Sequence, residues 1–211
     1  KVLTPSQLKE LGEHCQAQFN SSELKQRIDA YYNDFVPNNI EQEEWLIQRY
    51  FTIRIVIPNQ ASVGRLLAFH KDEWTGNGLG ILTAWTPITK CYDSNSMQVV
   101  DSKNSDHISF TCIAERWSTD TLQEECLKHA KPVNLDPGQV FLFQQHHMHG
   151  NVNNETDITR WSMDGRILPK GGDYNRKYPG GYFRFLDEQD DLSPINSNNK
   201  WLSYVGWNSK F

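Results

Sequence analysis

From Gln48 onward the chain is written in short runs of β-branched and aromatic residues, separated by clusters of Gly, Pro, Asn and Asp. Runs of that length bounded by turn formers make half-buried strands, which restricts this stretch to a β-rich core. The strands predicted are 50–57, 65–70, 80–88, 98–100, 107–114, 139–143 and 159–168. Seven or eight short strands suit a double-sheet jelly roll, the cupin-like double-stranded β-helix. A stretch at 118–130, with Leu122, Cys126 and His129 spaced to face one way, reads as a helical insertion.

The first forty residues follow a different rhythm. Thr4-Pro5-Ser6-Gln7 is a helix start: Thr4 caps, Pro5 fits the first turn and Gln7 completes a capping box. Leu8, Leu11, Cys15 and Phe19 form its apolar stripe. A second helix starts near Ser22, carries Leu24, Ile28, Tyr31 and Phe35, and is predicted to end before Pro37. The expected organisation is one domain over 1–211, mainly β in an α+β sense: a helical flank at 1–47, a jelly-roll core at 48–168 and a tail or lid at 169–211. The acidic run Asp187-Glu188-Gln189-Asp190-Asp191 in that tail reads as a solvated turn.

Composition narrows the partners. A net charge of -5 and no Lys/Arg block argue against a dedicated nucleic-acid or anionic-membrane partner. No apolar run approaches the roughly 18 to 20 residues of a membrane span, and the amino end lacks a secretory pattern. Cys15, Cys91, Cys112 and Cys126 contain no CxxC pair and read as thiols of a reducing, cytoplasmic setting.

Against this background His70-Lys71-Asp72 carries chemistry. On a strand end, positions i and i+2 leave the same face, so both side chains can reach one ion. Three histidines, His146, His147 and His149, compete to be a third ligand just after the strand predicted at 139–143. Two imidazoles and a carboxylate can occupy one face of a ferrous ion and leave the other open to a chelating co-substrate and O2. Downstream, Arg160-Trp161-Ser162-Met163-Asp164-Gly165-Arg166 alternates strictly. Arg160, Ser162, Asp164 and Arg166 share one face, and Trp161 and Met163 the other. Such a strand makes sense if its polar face lines a pocket while its apolar face packs under the amino-terminal helices. Arg160 is then placed to pair with a carboxylate through two hydrogen bonds, with Ser162 adding a third. A structural pairing of Arg160 or Arg166 with Asp164 is the competing reading.

The chain resembles the Fe(II)- and 2-oxoglutarate-dependent oxygenases, in particular their phytanoyl-CoA dioxygenase-like branch, which includes antibiotic-sugar biosynthesis members. The resemblance runs from about Gln48 to Leu168. It rests on Phe69-His70-Lys71-Asp72, Ala84-Trp85-Thr86-Pro87-Ile88, the Asn95 to His107 stretch, Pro137-Gly138-Gln139-Val140-Phe141-Leu142-Phe143, and His149-Gly150-Asn151 followed by Arg160-Trp161-Ser162. The eleven-residue step from His149 to Arg160 is its most specific part and selects His149, leaving His146 and His147 to a polar turn. Ser96 in place of the usual Gly, and Asp101-Ser102-Lys103-Asn104-Ser105 in place of a Pro-Gly-Ser turn, depart from the branch pattern.

The resemblance implies that His70, Asp72 and His149 bind Fe(II), and that Arg160 and Ser162 hold the C5 carboxylate of 2-oxoglutarate. Asn151 and Thr83 are further candidates for that co-substrate. It implies O2-dependent hydroxylation of an unactivated carbon, with succinate and CO2 released; desaturation and ring closure use the same iron site. Asp72 sets the chain apart from halogenating relatives, which replace that carboxylate with a small residue. A small polar metabolite, such as a sugar or amino-acid derivative, is the expected substrate, with Trp74, Arg54 and Arg166 as candidate contacts. Two other classes compete: a jelly-roll binding protein without turnover, and a cupin-type metalloenzyme that does not use 2-oxoglutarate.

Overall fold

A computed structural model describes residues 3–40, 44–59, 68–169, 171–177 and 182–185. Two helices open the chain, α1 (Pro5–Phe19) and α2 (Ser22–Asn39). The Thr4 hydroxyl accepts from the Gln7 amide while the Gln7 side chain accepts from the Thr4 N–H, so the capping box forms as expected. Helix α2 does not stop before Pro37 but runs through it to Asn39. The proline ring disrupts only the last turn, and the Asn38 and Asn39 side-chain Nδ2 groups donate to the Asp34 and Phe35 carbonyls at 2.8 Å each. The buried stripe of α2 is also turned from the predicted one: Lys25, Ile28, Tyr32 and Val36 are buried, whereas Leu24 is 37% exposed.

Among the described residues nine strands follow: β1 (Trp45–Gln48), β2 (Thr52–Val56), β3 (Leu82–Pro87), β4 (Met97–Val99), β5 (Lys131–Pro132), β6 (Phe141–Gln144), β7 (His149–Asn151), β8 (Arg160–Pro169) and β9 (Phe183–Phe185). All pairings between them are antiparallel. One sheet has the order β6-β3-β8-β1-β9, with β2 also on β8; the other has β5-β4-β7. Strand β8 organises the larger sheet. Its partner along one edge is β3, and along the other β2 then β1.

Two more helices lie between β4 and β5: α3 (Ser102–Glu115) and α4 (Thr119–His129). Helix α4 is the predicted insertion. Helix α3 replaces the strand predicted at 107–114. Asp101 caps it by accepting from the Asn104 amide, and Ser105, Ile108 and Ser109 are buried at helical spacing. Strand β1 takes up the end of the stretch expected to be helical flank and crosses into the expected core at Gln48, and β9 joins part of the expected tail to the sheet. Of the strand predicted at 65–70, residues 65–67 lie outside the described residues and 68–70 form only an isolated bridge at His70; the acidic run at 187–191 lies wholly outside them. Among the described residues, no helix is long and apolar enough to cross a membrane.

The apolar face of β8 packs as its alternation requires. Met163 and Ile167 meet Phe19, Ile28, Tyr32 and Val36 of the helices, together with Ile47, Phe51 and Ala84. Arg184 on β9 is buried and ion-paired with Asp29 of α2 at 2.8 Å, which ties the far edge of the sheet to the same helices. A second cluster, Trp85, Cys91, Met97 and Phe143, draws on strands of both sheets. A third sets Ile108, Leu122 and Cys126 of α3 and α4 against Phe69, Val100 and Met148. The polar face of β8 therefore looks into a pocket that residues of both sheets line.

Candidate metal centre

His70 and His149 face each other through a two-residue antiparallel bridge, each amide donating to the other's carbonyl at 3.0 Å. Bridge partners carry their side chains to the same side, and the ring centroids are 4.4 Å apart. Asp72 arrives by a tighter route than the expected strand end. The chain leaves the bridge at Lys71 and turns into a 3-10 helix, Asp72–Thr75, which ends on Gly76 at a φ of 89°. Thr75 Oγ1 and Asn77 Nδ2 donate to the Asp72 carbonyl at 2.8 and 2.9 Å and close that turn.

The result is a cluster of His70, Asp72 and His149 whose ligand atoms all lie within 4.8 Å of one another. Asp72 Oδ1 is 3.7 Å from His70 Nε2 and 3.8 Å from His149 Nε2. Each imidazole is oriented from behind: His70 Nδ1 lies 2.9 Å from the Ala68 carbonyl, and His149 Nδ1 3.0 Å from that of His147. Nδ1–H donation to a carbonyl leaves Nε2 as the lone-pair nitrogen, as metal-binding histidines require. Burial lowers the His149 pKa to about 4, so its ring is neutral at physiological pH. Burial by itself raises the Asp72 carboxyl, but the Arg166 guanidinium and the two imidazoles outweigh it and hold the group well below the usual range. Both states are those a cation needs. His146 and His147 stack on each other at 4.4 Å, outside the cluster.

Arg160, Asp164 and Arg166 of β8 are buried and line the pocket; Ser162, on the same face by alternation, is fully buried but is not among the lining residues. They do different work. Arg166 Nη2 donates to Asp72 Oδ2 at 2.9 Å and its Nη1 to Asp164 Oδ2 at 2.5 Å. Arg54 Nε donates to the other Asp164 oxygen at 2.8 Å. The structural pairing considered for Asp164 is thus present, but with Arg166 and Arg54, not Arg160. Arg160 donates through Nη1 to Asn151 Oδ1 at 2.6 Å and to the Asn95 carbonyl at 3.1 Å, and its guanidinium lies 5.8 Å from the Trp85 ring. Among the described residues no carboxylate is paired with it, and its Nε and the Ser162 Oγ are buried without a hydrogen-bond partner. Burial pulls the Arg160 pKa down to about 10, which still leaves it charged at neutral pH. A buried cation without a counter-charge and a buried hydroxyl without a partner are each costly unless a ligand completes them.

The remaining candidates divide. Asn151 lines the pocket while positioning Arg160, and Thr83 lines it while donating to Asp72 Oδ2 at 3.2 Å. Arg54 and Arg166 line it and are engaged with carboxylates. Trp74, on the 3-10 turn, is 44% exposed and is not among the lining residues. Three participants were not singled out from the sequence. Trp85 flanks Arg160, Phe143 meets the His149 ring edge-on at 4.9 Å, and buried Gln145 donates to Thr83 Oγ1 at 2.9 Å. The first two lie in strand runs that gave no sign of a site role, and nothing local marks Gln145.

No family model matches the chain. It is 30% identical over 125 residues to the streptomycin biosynthesis protein StrG of Streptomyces griseus, covering 59% of this chain and 47% of StrG. The chain thus spans about half the length of that curated relative. It is also similar in fold to the crystal structure of the epimerase SnoN in complex with Fe3+, α-ketoglutarate and nogalamycin RO. There the TM-score is 0.50 at 16% identity, over 76% of this chain and 64% of SnoN.

Proposed function

We propose that this chain is an Fe(II)- and 2-oxoglutarate-dependent oxygenase, built on a jelly-roll core, that hydroxylates an unactivated carbon of a small polar metabolite. The observation that carries this reading is the pairing of two unfilled needs in one pocket. At one end, two imidazole nitrogens and a carboxylate oxygen converge. At the other, the buried Arg160 guanidinium lacks an acid, and the buried Ser162 hydroxyl on the same face of β8 lacks a partner. A short dicarboxylate with a chelating keto acid at one end answers both needs, and a lone metal answers one.

In this reading His70, Asp72 and His149 hold Fe(II). Arg160 and Ser162 receive the distal carboxylate of 2-oxoglutarate, and Asn151 fixes the Arg160 guanidinium toward it. When bound, the iron with 2-oxoglutarate and O2 supplies the oxidising power, with succinate and CO2 as co-products. The protein's part is to orient both molecules, exclude water and keep the His149 imidazole neutral. The likeness to StrG and SnoN supports a metabolite substrate of the kind found in natural-product biosynthesis. SnoN is an epimerase, so its fold serves an outcome other than hydroxylation; for this chain hydroxylation remains the proposal.

Anaerobic titration of the metal-free protein with Fe(II) and then 2-oxoglutarate tests the reading. The expected result is the weak visible charge-transfer band of the chelate, and its absence overturns the assignment. Arg160→Ala should weaken 2-oxoglutarate binding by about tenfold to a hundredfold, as loss of a charge-assisted contact does, while leaving metal affinity close to that of the wild type.

A further inference from the structure

Thr83 and Arg166 are cross-strand partners in the β3–β8 register, so both side chains rise from the same face of the sheet. Both end on the same atom: Thr83 Oγ1 lies 3.2 Å and Arg166 Nη2 2.9 Å from Asp72 Oδ2. The direction of the Thr83 hydroxyl is determined. Gln145 Nε2 already donates to Thr83 Oγ1 at 2.9 Å, so the hydroxyl proton is free to go to the carboxylate. Arg166 is held in turn by Asp164, and Asp164 by Arg54, which makes an alternating row of four charges ending on Asp72. The other carboxylate oxygen, Oδ1, faces the two imidazole nitrogens at 3.7 and 3.8 Å.

From this division of the carboxylate we infer that Thr83 and Arg166 act as a positioning pair that makes Asp72 a one-oxygen ligand. They occupy Oδ2 and offer only Oδ1 to the metal. The inference rests on the oxygenase reading and deepens it. A carboxylate free to rotate can bind through both oxygens and cover one more coordination position. A carboxylate pinned at Oδ2 leaves that position for the chelating co-substrate and O2. The pair thereby takes over the roles the sequence suggested for Thr83 in co-substrate binding and for Arg166 in substrate contact.

The test uses the full chain, stripped of metal, with Mn(II) as the probe and no 2-oxoglutarate present. Binding is followed by isothermal titration and by the electron paramagnetic resonance signal of the bound ion. Thr83→Val removes the donated hydrogen bond while nearly preserving shape, and Arg166→Met removes the charge. Each should lose about tenfold to a hundredfold in Mn(II) affinity, the usual cost of removing a group that orients a ligand. Each should also change the line shape of the bound ion. Thr83→Ser should restore both properties, a rescue that general loosening of the core does not produce. Unchanged affinity and line shape in Thr83→Val and Arg166→Met overturn the inference while leaving the metal site intact. Should Arg166→Met fail to fold, as judged by circular dichroism, Thr83→Val and its serine rescue decide the matter alone. A wild-type protein that does not bind Mn(II) overturns the metal reading itself, an outcome separate from the variants' failure.

Discussion

Gly165 sits between two working residues, Asp164 and Arg166, because a ring lies over it. A Cβ built there would be 1.9 Å from Phe51 Cε1. The ring has little room to retreat, since Phe51 is buried and stacked on Tyr32 at a centroid distance of 4.4 Å. Gly165→Ala should therefore destabilise the fold by about 1–3 kcal/mol, the range for overpacking a filled core. A urea midpoint equal to that of the wild type would contradict this packing. Cysteine reactivity is a second outcome at this scale. Burial pushes the Cys91 thiol up to about 11 and that of Cys126 up to about 12, whereas Cys15 and Cys112 are half-buried. The thiolate is the nucleophile, so iodoacetamide at pH 8 should label Cys15 and Cys112 well before Cys91 and Cys126. Peptide mapping by mass spectrometry over a time course reads the order. The candidate ligands and Arg160 could be picked out in the chain because residue type and spacing bear on their chemistry. The roles of Thr83 and Arg166 could not, because they depend on which residue of β3 lies opposite which residue of β8.

Helix α3 shows how local pattern and tertiary context part company. Phe110 and Ile113 are 76% and 71% exposed, so the apolar, β-branched texture that suggested a strand at 107–114 includes side chains outside the core. What decides the element is its start, where the Asp101 carboxylate accepts from the Asn104 amide at 3.0 Å, and its buried face of Ser105, Ile108 and Ser109. Ser105 contributes directly to the site's framework: its hydroxyl donates to the Val100 carbonyl and accepts from the Met148 amide, next to His149. Asp101→Ala should lower the thermal midpoint, while Phe110→Lys should leave it unchanged. The reverse order would mean that the exposed apolar residues, and not the cap, hold α3 in place. Strand β8 behaved differently because its two faces meet opposite environments, and strict alternation of polar and apolar residues reports both at once. Strands β5 and β7, two and three residues long, have too few positions to show any period.

At the scale of the whole molecule, charges lining the pocket link β2, β8 and the turn after His70. Asp164 is the hinge of that network. Burial raises its carboxyl, but Arg54 and Arg166 outweigh burial and keep the pKa below its ordinary value of 3.8. The other charged or titratable groups facing it are Asp72, across Arg166, Arg160 on the same strand, and the neutral Tyr32 and Tyr182 hydroxyls from α2 and the segment before β9. Between the folded pKa and 3.8 the unfolded chain binds more protons than the folded one, so stability falls as pH drops through that window and is fully present above it. For this carboxylate the thermal midpoint should be level from neutral pH down to about pH 5, then fall below about pH 4. Asp164→Asn supplies the matching measurement. At neutral pH it leaves Arg54 and Arg166 short of a counter-charge in a buried setting, a loss of about 3 kcal/mol or more. At acid pH the wild type has lost the same charge, so the two stability curves should converge there. Curves that stay parallel from pH 7 to pH 3 would show that Asp164 carries no coupling charge, and that the row of ions ending on Asp72 does not hold the two sides of the pocket together.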